Sequence, residues 1–275
     1  MHEWERAAMR IRPCIDIHNG RVKQIVGSSL RDREDRQEGT AQENFVSETD
    51  ASYYAEVYRE MGLKGGHIIL LNSVKEEAYQ EDLAQAKGAL RAFPGGMQIG
   101  GGITPDTAGS FIDAGASHVI VTSYVFRDGK LDPDALKAMT RCVGRERLVL
   151  DLSCRRTSDG KYKVVTDRWQ KFTDLEIGEE CLDRLSQRCD EFLIHAADVE
   201  GKRSGIEEDL VDLLGSWQKK SGFPVTYAGG VHSLLDLHRI GSLSGGAMDV
   251  TVGSALSLFG GDLALEELVK EAQRV

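Results

Sequence analysis

Residues 98–104 read Gln-Ile-Gly-Gly-Gly-Ile-Thr, and residues 226–232 read Thr-Tyr-Ala-Gly-Gly-Val-His. Each segment is a short apolar run that ends in a glycine pair, and each is followed by a second apolar run that ends in serine. Gly102 and Gly230 are 128 residues apart, close to half of the 275-residue chain. Similar segments at half the chain length indicate an internal duplication.

Two aspartates follow the same repeat. Asp16 and Asp151 each stand in an otherwise apolar run and are 135 residues apart. A strand buried on both faces should be continuously apolar, so a carboxylate at its end is a costly placement that usually has a function. The alternative is a structural role, in which each aspartate caps a helix or pairs with a cation such as Lys23 or Arg155. Because they are equivalent positions of a repeat, we predict that both are catalytic.

Strand-like and helix-like segments alternate along the whole chain, which is typical of β-α-β units and a parallel sheet. The predicted strands are residues 11–17, 67–71, 97–100, 118–122, 147–152, 191–195, 224–228 and 249–252. The predicted helices, from apolar spacing near 3.6, are residues 50–61, 80–92, 104–114, 132–142, 178–188, 207–220, 233–240 and 262–273. Eight such pairs predict an α/β fold, a (β/α)8 TIM barrel built from two half-barrel repeats, as one domain over residues 1–275.

The glycine pairs predict two phosphate sites. A glycine pair between a strand and a helix lets backbone N–H groups and the helix N-terminus approach an anion. Hydroxyl and amide donors stand at the ends of the adjacent strands. The predicted binding residues are Gly101, Gly102, Thr122, Ser123, Gly229, Gly230, Gly253 and Ser254. A tight turn explains one glycine pair equally well, but two in register predict a small-molecule substrate with a phosphate at each end.

The connections over residues 19–49 and 153–177 are long, polar and charged. Loops longer than about 12–15 residues in a compact domain are often lids, and solvated insertions are the alternative. Trp169, in the second connection, could stack on a flat ring of the substrate or anchor its own loop. His195, on the sixth strand, could bind substrate or be a buried structural histidine.

Composition narrows the function. A formal net charge of −10 argues against nucleic acid or anionic lipid as partner, because both need a clustered basic face. No run approaches the roughly 18 apolar residues that span a bilayer, and residues 1–6 do not resemble a signal peptide. We expect a cytoplasmic monomer that binds neither nucleic acid nor membrane.

The five cysteines are scattered without C-x-x-C spacing, which favours reduced thiols over disulfides or zinc. Cys14 and Cys154 flank the two aspartates, but a structural role is more common for buried cysteine than a nucleophilic one. The chain lacks the spacings of common metal sites and a G-x-G-x-x-G dinucleotide motif. We expect no metal and no cofactor.

Four segments together resemble one enzyme family. They are Cys-Ile-Asp-Ile-His-Asn-Gly-Arg-Val-Lys over residues 14–23, Gly-Gly-Gly-Ile over residues 100–103, Asp-Leu-Ser-Cys-Arg over residues 151–155 and His-Ala-Ala-Asp-Val-Glu-Gly over residues 195–201. The chain resembles, from about Arg10 to its end, the phosphoribosylformimino-5-aminoimidazole carboxamide ribotide (ProFAR) isomerases of histidine biosynthesis, in the form found in fungi and plants. Residues 1–9 precede the usual start of that family and would be an N-terminal extension.

The resemblance implies an Amadori rearrangement, in which an N-linked aminoaldose phosphate becomes an aminoketose without a cofactor. It implies that Asp16 is the general base and Asp151 the general acid, and that the backbone near Gly102, Ser123, Gly230 and Ser254 holds the phosphates. The chain departs from the bacterial pattern of the family at Thr104, where arginine is common, and at His195, where threonine is common. The resemblance therefore assigns no substrate contact to those two positions.

Two other functions remain open from the residues. The first is the cyclase-type barrel of imidazole glycerol phosphate synthase, which shares the repeat, both aspartates and the phosphate sites. The stretch from Asp16 to Gly20 and the run over residues 195–201 favour the isomerase. The second is a non-catalytic phosphoribosyl-binding sensor, which both aspartates oppose because two buried carboxylates do not help to bind a dianion.

Overall fold

A computed structural model describes residues 8–25, 43–167, 169–202 and 205–275. The strands in these ranges are β1 (Cys14–His18), β2 (Arg21–Ile25), β3 (Glu43–Val46), β4 (Gly66–Leu70), β5 (Met97–Gly100), β6 (Val119–Val121), β7 (Phe126–Arg127), β8 (Lys130–Leu131), β9 (Leu148–Asp151), β10 (Cys154–Arg156), β11 (Tyr162–Thr166), β12 (Lys171–Glu176), β13 (Glu191–His195), β14 (Val225–Ala228) and β15 (Asp249–Thr251). The helices are α1 (Ala51–Glu60), α2 (Tyr79–Ala92), α3 (Pro105–Asp113), α4 (Pro133–Val143), α5 (Glu179–Ser186), α6 (Glu208–Ser221), α7 (Leu234–Ser244) and α8 (Leu265–Ala272).

The fold is α/β and is organised around a parallel sheet. Its order is β15-β14-β13-β9-β6-β5-β4-β1-β2-β3, in which the first eight strands pair in parallel and β2 and β3 are antiparallel. These eight parallel strands coincide with the eight predicted ones, and a helix lies near each predicted helix. The prediction of an α/β fold with a parallel sheet is confirmed.

The parallel part of the sheet curls so that the segment before β1 pairs with β15. Ile11, just before β1, forms a parallel bridge with Val250 in β15. The N–H of Arg12 donates to the carbonyl of Val250 at 2.9 Å, and the N–H of Val250 donates to the carbonyl of Arg10 at 3.0 Å. The predicted strand 11–17 is therefore divided in the structure. Its first residues pair with β15, and residues from Cys14 onward form β1.

Both long connections contain β-strands that were not predicted from the sequence. The connection after β1 begins and ends in the antiparallel pair β2 and β3, with the residues between them outside the described ranges. The connection after β9 forms a separate three-stranded antiparallel sheet, β10-β11-β12. Most residues of β12 are exposed, and only Thr173 and Leu175 are buried. This explains why the sequence of the strand is mostly polar.

A buried polar network lies at the N-terminal edge of the parallel strands. Glu191, the first residue of β13, accepts hydrogen bonds from Gln98 Nε2 at 2.9 Å and Thr226 Oγ1 at 2.6 Å, and lies 3.5 Å from Arg12. Arg12 also pairs with Asp249, the first residue of β15, at 2.8 Å. Arg10 adds a second cation, since it also pairs with Asp249, at 2.7 Å. Two arginines therefore face two carboxylates, as stable burial of charge requires, and the network lies at the opposite strand ends from Asp16 and Asp151.

Candidate active site

Asp16, Asp151 and His195 meet at the C-terminal edge of the parallel sheet. Asp151 is the last residue of β9 and His195 the last of the adjacent β13, while Asp16 is the third residue of β1. All three line one cavity, here called the Asp16 cavity, together with Trp169 and Glu200. Both aspartates lie in strands, and Arg155, one of the cations considered as a structural partner, pairs with Asp198 at 2.8 Å.

Asp16 is held in a form that can exchange a proton near neutral pH. Its carboxylate accepts a 3.4 Å hydrogen bond from Gln24 Nε2 on β2. Burial raises the pKa of Asp16 and the nearby Glu200 carboxylate raises it further, to about 7, although His195 acts in the opposite direction. A carboxylate with a pKa near the ambient pH suits general base catalysis.

The surroundings of Asp151, by contrast, favour its ionised form. Its Oδ1 accepts hydrogen bonds from the Ser153 N–H at 2.8 Å and the Ser153 hydroxyl at 2.6 Å, and lies 3.5 Å from His195 Nδ1. Burial by itself would raise the pKa of Asp151, but the His195 charge and the two hydrogen bonds outweigh burial and place the pKa below its usual value. The two aspartates therefore have pKa values pushed in opposite directions, which is characteristic of residues with different roles in catalysis.

The His195 ring contacts two other aromatic rings. The ring centroids of Trp169 and His67 lie 5.7 and 5.8 Å from that of His195. Burial opposes the charged form of His195, but Asp151, and then Glu200 and Asp16, outweigh it and raise its pKa to about 9. Burial and the neighbouring His195 charge lower the pKa of His67 to about 3, so His67 is neutral beside a charged His195.

Trp169 has a backbone conformation that side chains other than glycine rarely adopt, with φ at 66°. Residues held in this region often belong to functional sites. The Trp169 ring contacts the His195 ring, and Trp169 lies in the wall of the Asp16 cavity.

A second cavity, here called the Gly101 cavity, adjoins the first. Asp151, Trp169 and Ile69 line both cavities. The predicted phosphate residues divide between them by repeat: Gly229, Gly230, Gly253 and Ser254 line the Asp16 cavity, and Gly101, Gly102, Thr122 and Ser123 line the Gly101 cavity. Every site residue predicted from the sequence thus lies on one of two adjoining cavities.

The two glycine pairs have matching backbone conformations. The φ angles are 101° and 68° at Gly101 and Gly102, and 122° and 74° at Gly229 and Gly230. A Cβ at Gly101 would lie 2.2 Å from the carbonyl oxygen of Leu70, and one at Gly229 would lie 2.9 Å from that of Ala196. Glycine is therefore required at both positions by conformation and by the closeness of the preceding strand.

Several residues of the site were not predicted from the sequence. Glu200 lines the Asp16 cavity, and its position within the run 195–201 that carries the resemblance was a signal for it. Ser153 stands two residues after Asp151, a spacing at which a hydroxyl can reach an aspartate. His67 carried no signal, because it is a single polar residue at the start of an apolar strand. Gln24 carried none, because it is one of several polar residues in β2.

The thiols and the candidate metal ligands add no further chemistry. Cys14 and Cys154 are buried, and burial raises the pKa of each thiol above its usual value, which opposes a thiolate nucleophile. Among the described residues no group of three or more histidine, cysteine, aspartate or glutamate side chains could hold a metal ion. Within the same ranges, no helix has the length and apolar character to cross a membrane.

Comparison with known proteins agrees with this geometry. Residues 10–263 match the family described as Histidine biosynthesis protein. A chloroplastic protein of Medicago truncatula is 52% identical over 264 residues, 96% of this chain and 82% of its own length. A Neurospora crassa protein is 45% identical over 268 residues, 96% of this chain and 99% of its own length. A Saccharomyces cerevisiae protein is 42% identical over 252 residues, 91% and 92% of the two chains.

All three relatives carry the same activity in their names, that of an isomerase of 1-(5-phosphoribosyl)-5-((5-phosphoribosylamino)methylideneamino)imidazole-4-carboxamide. The identity extends over more than nine-tenths of this chain in each case, and the family match includes both aspartates and both glycine pairs. The chain belongs to the histidine biosynthesis protein family.

Proposed function

We propose that this protein is the ProFAR isomerase of histidine biosynthesis and catalyses an Amadori rearrangement of the aminoaldose to the aminoketose. The observation that carries the proposal is the placement of Asp16 in β1 and Asp151 at the end of β9. Both line the Asp16 cavity, Asp151 also lines the adjoining Gly101 cavity, and each cavity carries a glycine loop. The names of the relatives favour this isomerase over the cyclase.

The substrate named for the relatives carries two phosphoribosyl groups. One phosphate would bind at Gly230 and Ser254, and the other at Gly102 and Ser123, because the loops after barrel strands are recurrent phosphate sites. The shared wall of the two cavities contains Asp151 and Trp169, so the part of the substrate between the phosphates would pass beside the reactive residues. Trp169 offers an indole face on which the imidazole ring can stack.

The reaction needs a base and an acid on one substrate. The acid protonates the ribose ring oxygen, the bond from C1′ to that oxygen breaks, and the nitrogen lone pair forms an iminium at C1′. Asp16 then removes the C2′ proton, and the electron pair of that bond forms the C1′–C2′ double bond while the iminium nitrogen regains its pair. The enol relaxes to the C2′ ketone, with a proton delivered to C1′. We assign the base to Asp16 and the acid step to the Asp151 side of the cavity.

The finer architecture is part of the proposal. We assign the fold to a (β/α)8 barrel of two half-barrel repeats, in one domain. Supporting observations are the bridge between Ile11 and Val250, the matching φ angles of the two glycine pairs and the antiparallel strands that follow both β1 and β9.

The remaining predictions concern the setting of the enzyme. A monomer that takes a small bisphosphate, and neither nucleic acid nor membrane, remains our prediction. So does catalysis without metal or cofactor. A cytoplasmic location also remains a prediction, beside the fact that the Medicago relative is named chloroplastic.

The test is turnover of the synthetic aminoaldose bisphosphate by the purified protein, followed by chromatographic separation of the aldose and ketose. We expect full conversion without ammonia and no loss of rate after treatment with a chelator. Binding of the bisphosphate by calorimetry without any turnover would support the sensor and overturn the isomerase. Loss of rate on chelation would contradict the metal-free mechanism.

A further inference from the structure

The environment of His195 differs from that of an ordinary structural histidine. Its Nδ1 atom is buried and makes no conventional hydrogen bond, and the nearest carboxylate oxygen is Asp151 Oδ1 at 3.5 Å. A buried ring nitrogen without a hydrogen bond is costly, unless a charge interaction compensates for it. The imidazole is in ring contact with Trp169 and His67 and lines the Asp16 cavity.

Asp151 is poorly arranged to carry a transferable proton itself. Its Oδ1 accepts two hydrogen bonds from Ser153, one from the backbone and one from the hydroxyl. Hydrogen bonds donated to a carboxylate favour its ionised form. The third group beside Oδ1 is the His195 ring, and an imidazole can hold and release a proton in the physiological pH range.

We propose that His195 is a further catalytic residue, which protonates the ribose ring oxygen while the Asp151 carboxylate keeps the imidazole charged and oriented. This inference rests on the proposed isomerase function and deepens its acid step. Because Nδ1 is directed to Asp151, Nε2 is the nitrogen that delivers the proton.

The proton count closes over one turnover. The Nε2 proton of His195 moves to the ring oxygen as the C1′–oxygen bond breaks, and that oxygen becomes a hydroxyl. Asp16 carries the C2′ proton and returns a proton to C1′. The enol hydroxyl at C2′ loses its proton as the ketone forms, and that proton recharges His195. No oxidant, reductant or second substrate is required.

The charged groups around His195 support this assignment. Asp151 on β9, Asp16 on β1 and Glu200 after β13 each favour the charged imidazole, and together they overcome burial and raise the pKa of His195 to about 9. His67 on β4 is the other titratable group in ring contact, and it is neutral because burial lowers its pKa. At neutral pH the His195 imidazole is therefore charged.

The experiment compares the unaltered protein with two variants. His195→Asn keeps an N–H donor near the position of Nδ1 but carries no transferable proton. His118→Asn is the matched control, because His118 also pairs with an aspartate, Asp190, at 3.2 Å and lies on neither cavity. We expect kcat of His195→Asn to fall by about a hundredfold or more, the usual size of an acid-base contribution, with KM changed only a few-fold. His118→Asn should keep the normal rate.

The pH dependence separates catalysis from a merely structural role. In the unaltered protein kcat/KM should decline as pH rises through about 9, because the imidazole loses its proton, and this decline should be absent from the residual activity of His195→Asn. Nitrogen-15 NMR of the unaltered protein should show both ring nitrogens of His195 protonated at pH 7.5, and Asp151→Asn should lower the pKa of His195.

Three results would overturn the inference. They are a neutral His195 at pH 7.5 in the unaltered protein, a near-normal kcat in His195→Asn, and an alkaline decline that persists in that variant. The NMR measurement needs no variant, so a failure of His195→Asn to fold leaves the inference testable. If the unaltered protein does not turn over the aminoaldose, both the proposed function and this inference are wrong. If turnover is normal but one of the three results above is obtained, only the inference about His195 is wrong and the isomerase assignment stands.

Discussion

The Ser153 hydroxyl donates a 2.6 Å hydrogen bond to the Asp151 carboxylate two residues earlier. Ser153 is fully buried, so water does not compete for this bond. We predict that Ser153→Ala raises the pKa of Asp151 and lowers kcat/KM about tenfold, since a hydrogen bond to a charged group contributes about 1.5–3 kcal/mol. Carbon-13 NMR of the Asp151 carboxyl should show its titration at higher pH in the variant. Ser110→Ala, which removes an exposed hydroxyl bond on α3, is the control, and an unmoved Asp151 titration in Ser153→Ala would contradict the role of Ser153.

Removal of either active-site carboxylate should abolish most of the activity. We predict that Asp16→Asn and Asp151→Asn each lower kcat by at least about a hundredfold, the usual size of an acid-base contribution. Steady-state kinetics on the aminoaldose is the measurement. Asp113→Asn, an exposed aspartate at the end of α3, should have the normal rate. Near-normal turnover in either active-site variant would remove that aspartate from the mechanism.

Asp16 should make the protein less stable as pH rises. Its pKa is about 7 in the folded protein and about 3.9 when unfolded, so the folded state binds more protons between these values. The stabilising effect of the protonated carboxyl is present below about pH 4 and is lost as pH rises through about 7. We predict that Asp16→Asn raises the melting temperature by several degrees at pH 8 and hardly changes it at pH 4. An equal shift at both pH values would show that the folded pKa of Asp16 is not raised.

The same pKa sets the activity profile. Because the base acts when ionised, kcat/KM of the unaltered protein should rise with pH through about 7, before the decline assigned to His195. The profile should therefore be bell-shaped.

The buried network at the N-terminal edge should determine stability without affecting chemistry. Glu191→Ala leaves Arg12 without one partner and removes the acceptor of Gln98 and Thr226. We predict a loss of about 3–5 kcal/mol in the free energy of unfolding, as is usual when one partner of a buried ion pair is removed, with kcat normal in the folded protein at low temperature. Glu208→Ala breaks the exposed pair with Arg239 and should cost much less, because water screens the charges of exposed side chains. Similar losses in urea titrations of the two variants would contradict the role of burial.

Gly101 should not accept a side chain. Its φ of 101° and the 2.2 Å approach of a Cβ to the Leu70 carbonyl oxygen predict that Gly101→Ala raises KM for the bisphosphate substantially and lowers stability by more than about 1 kcal/mol. Gly109 lies within α3 with open space at its Cβ position, so Gly109→Ala should stabilise the protein by about 0.5–1 kcal/mol. A normal KM in Gly101→Ala would show that the phosphate does not approach this backbone.

The sequence was sufficient to predict the parallel strands and the position of both aspartates, because a buried strand has a continuous apolar pattern and a carboxylate at its end is conspicuous. It did not predict β10 and β12, whose exposed residues are polar, nor β11, which is largely buried but lies between them in a polar connection. The opposite pKa shifts of Asp16 and Asp151 were also not predictable. They arise from burial and from Glu200, Ser153 and His195, whose closeness to the aspartates follows from the three-dimensional arrangement.

The matching conformations of the two glycine pairs have a consequence for recognition. In the proposed complex, two glycine loops with similar φ angles would not by themselves distinguish one phosphate of the substrate from the other. The orientation of the substrate would then depend on the unequal side chains between the loops, with Asp16 on one cavity and with Asp151 and Trp169 on both. In this arrangement the two ends of the substrate would provide binding affinity, and its middle would determine its orientation.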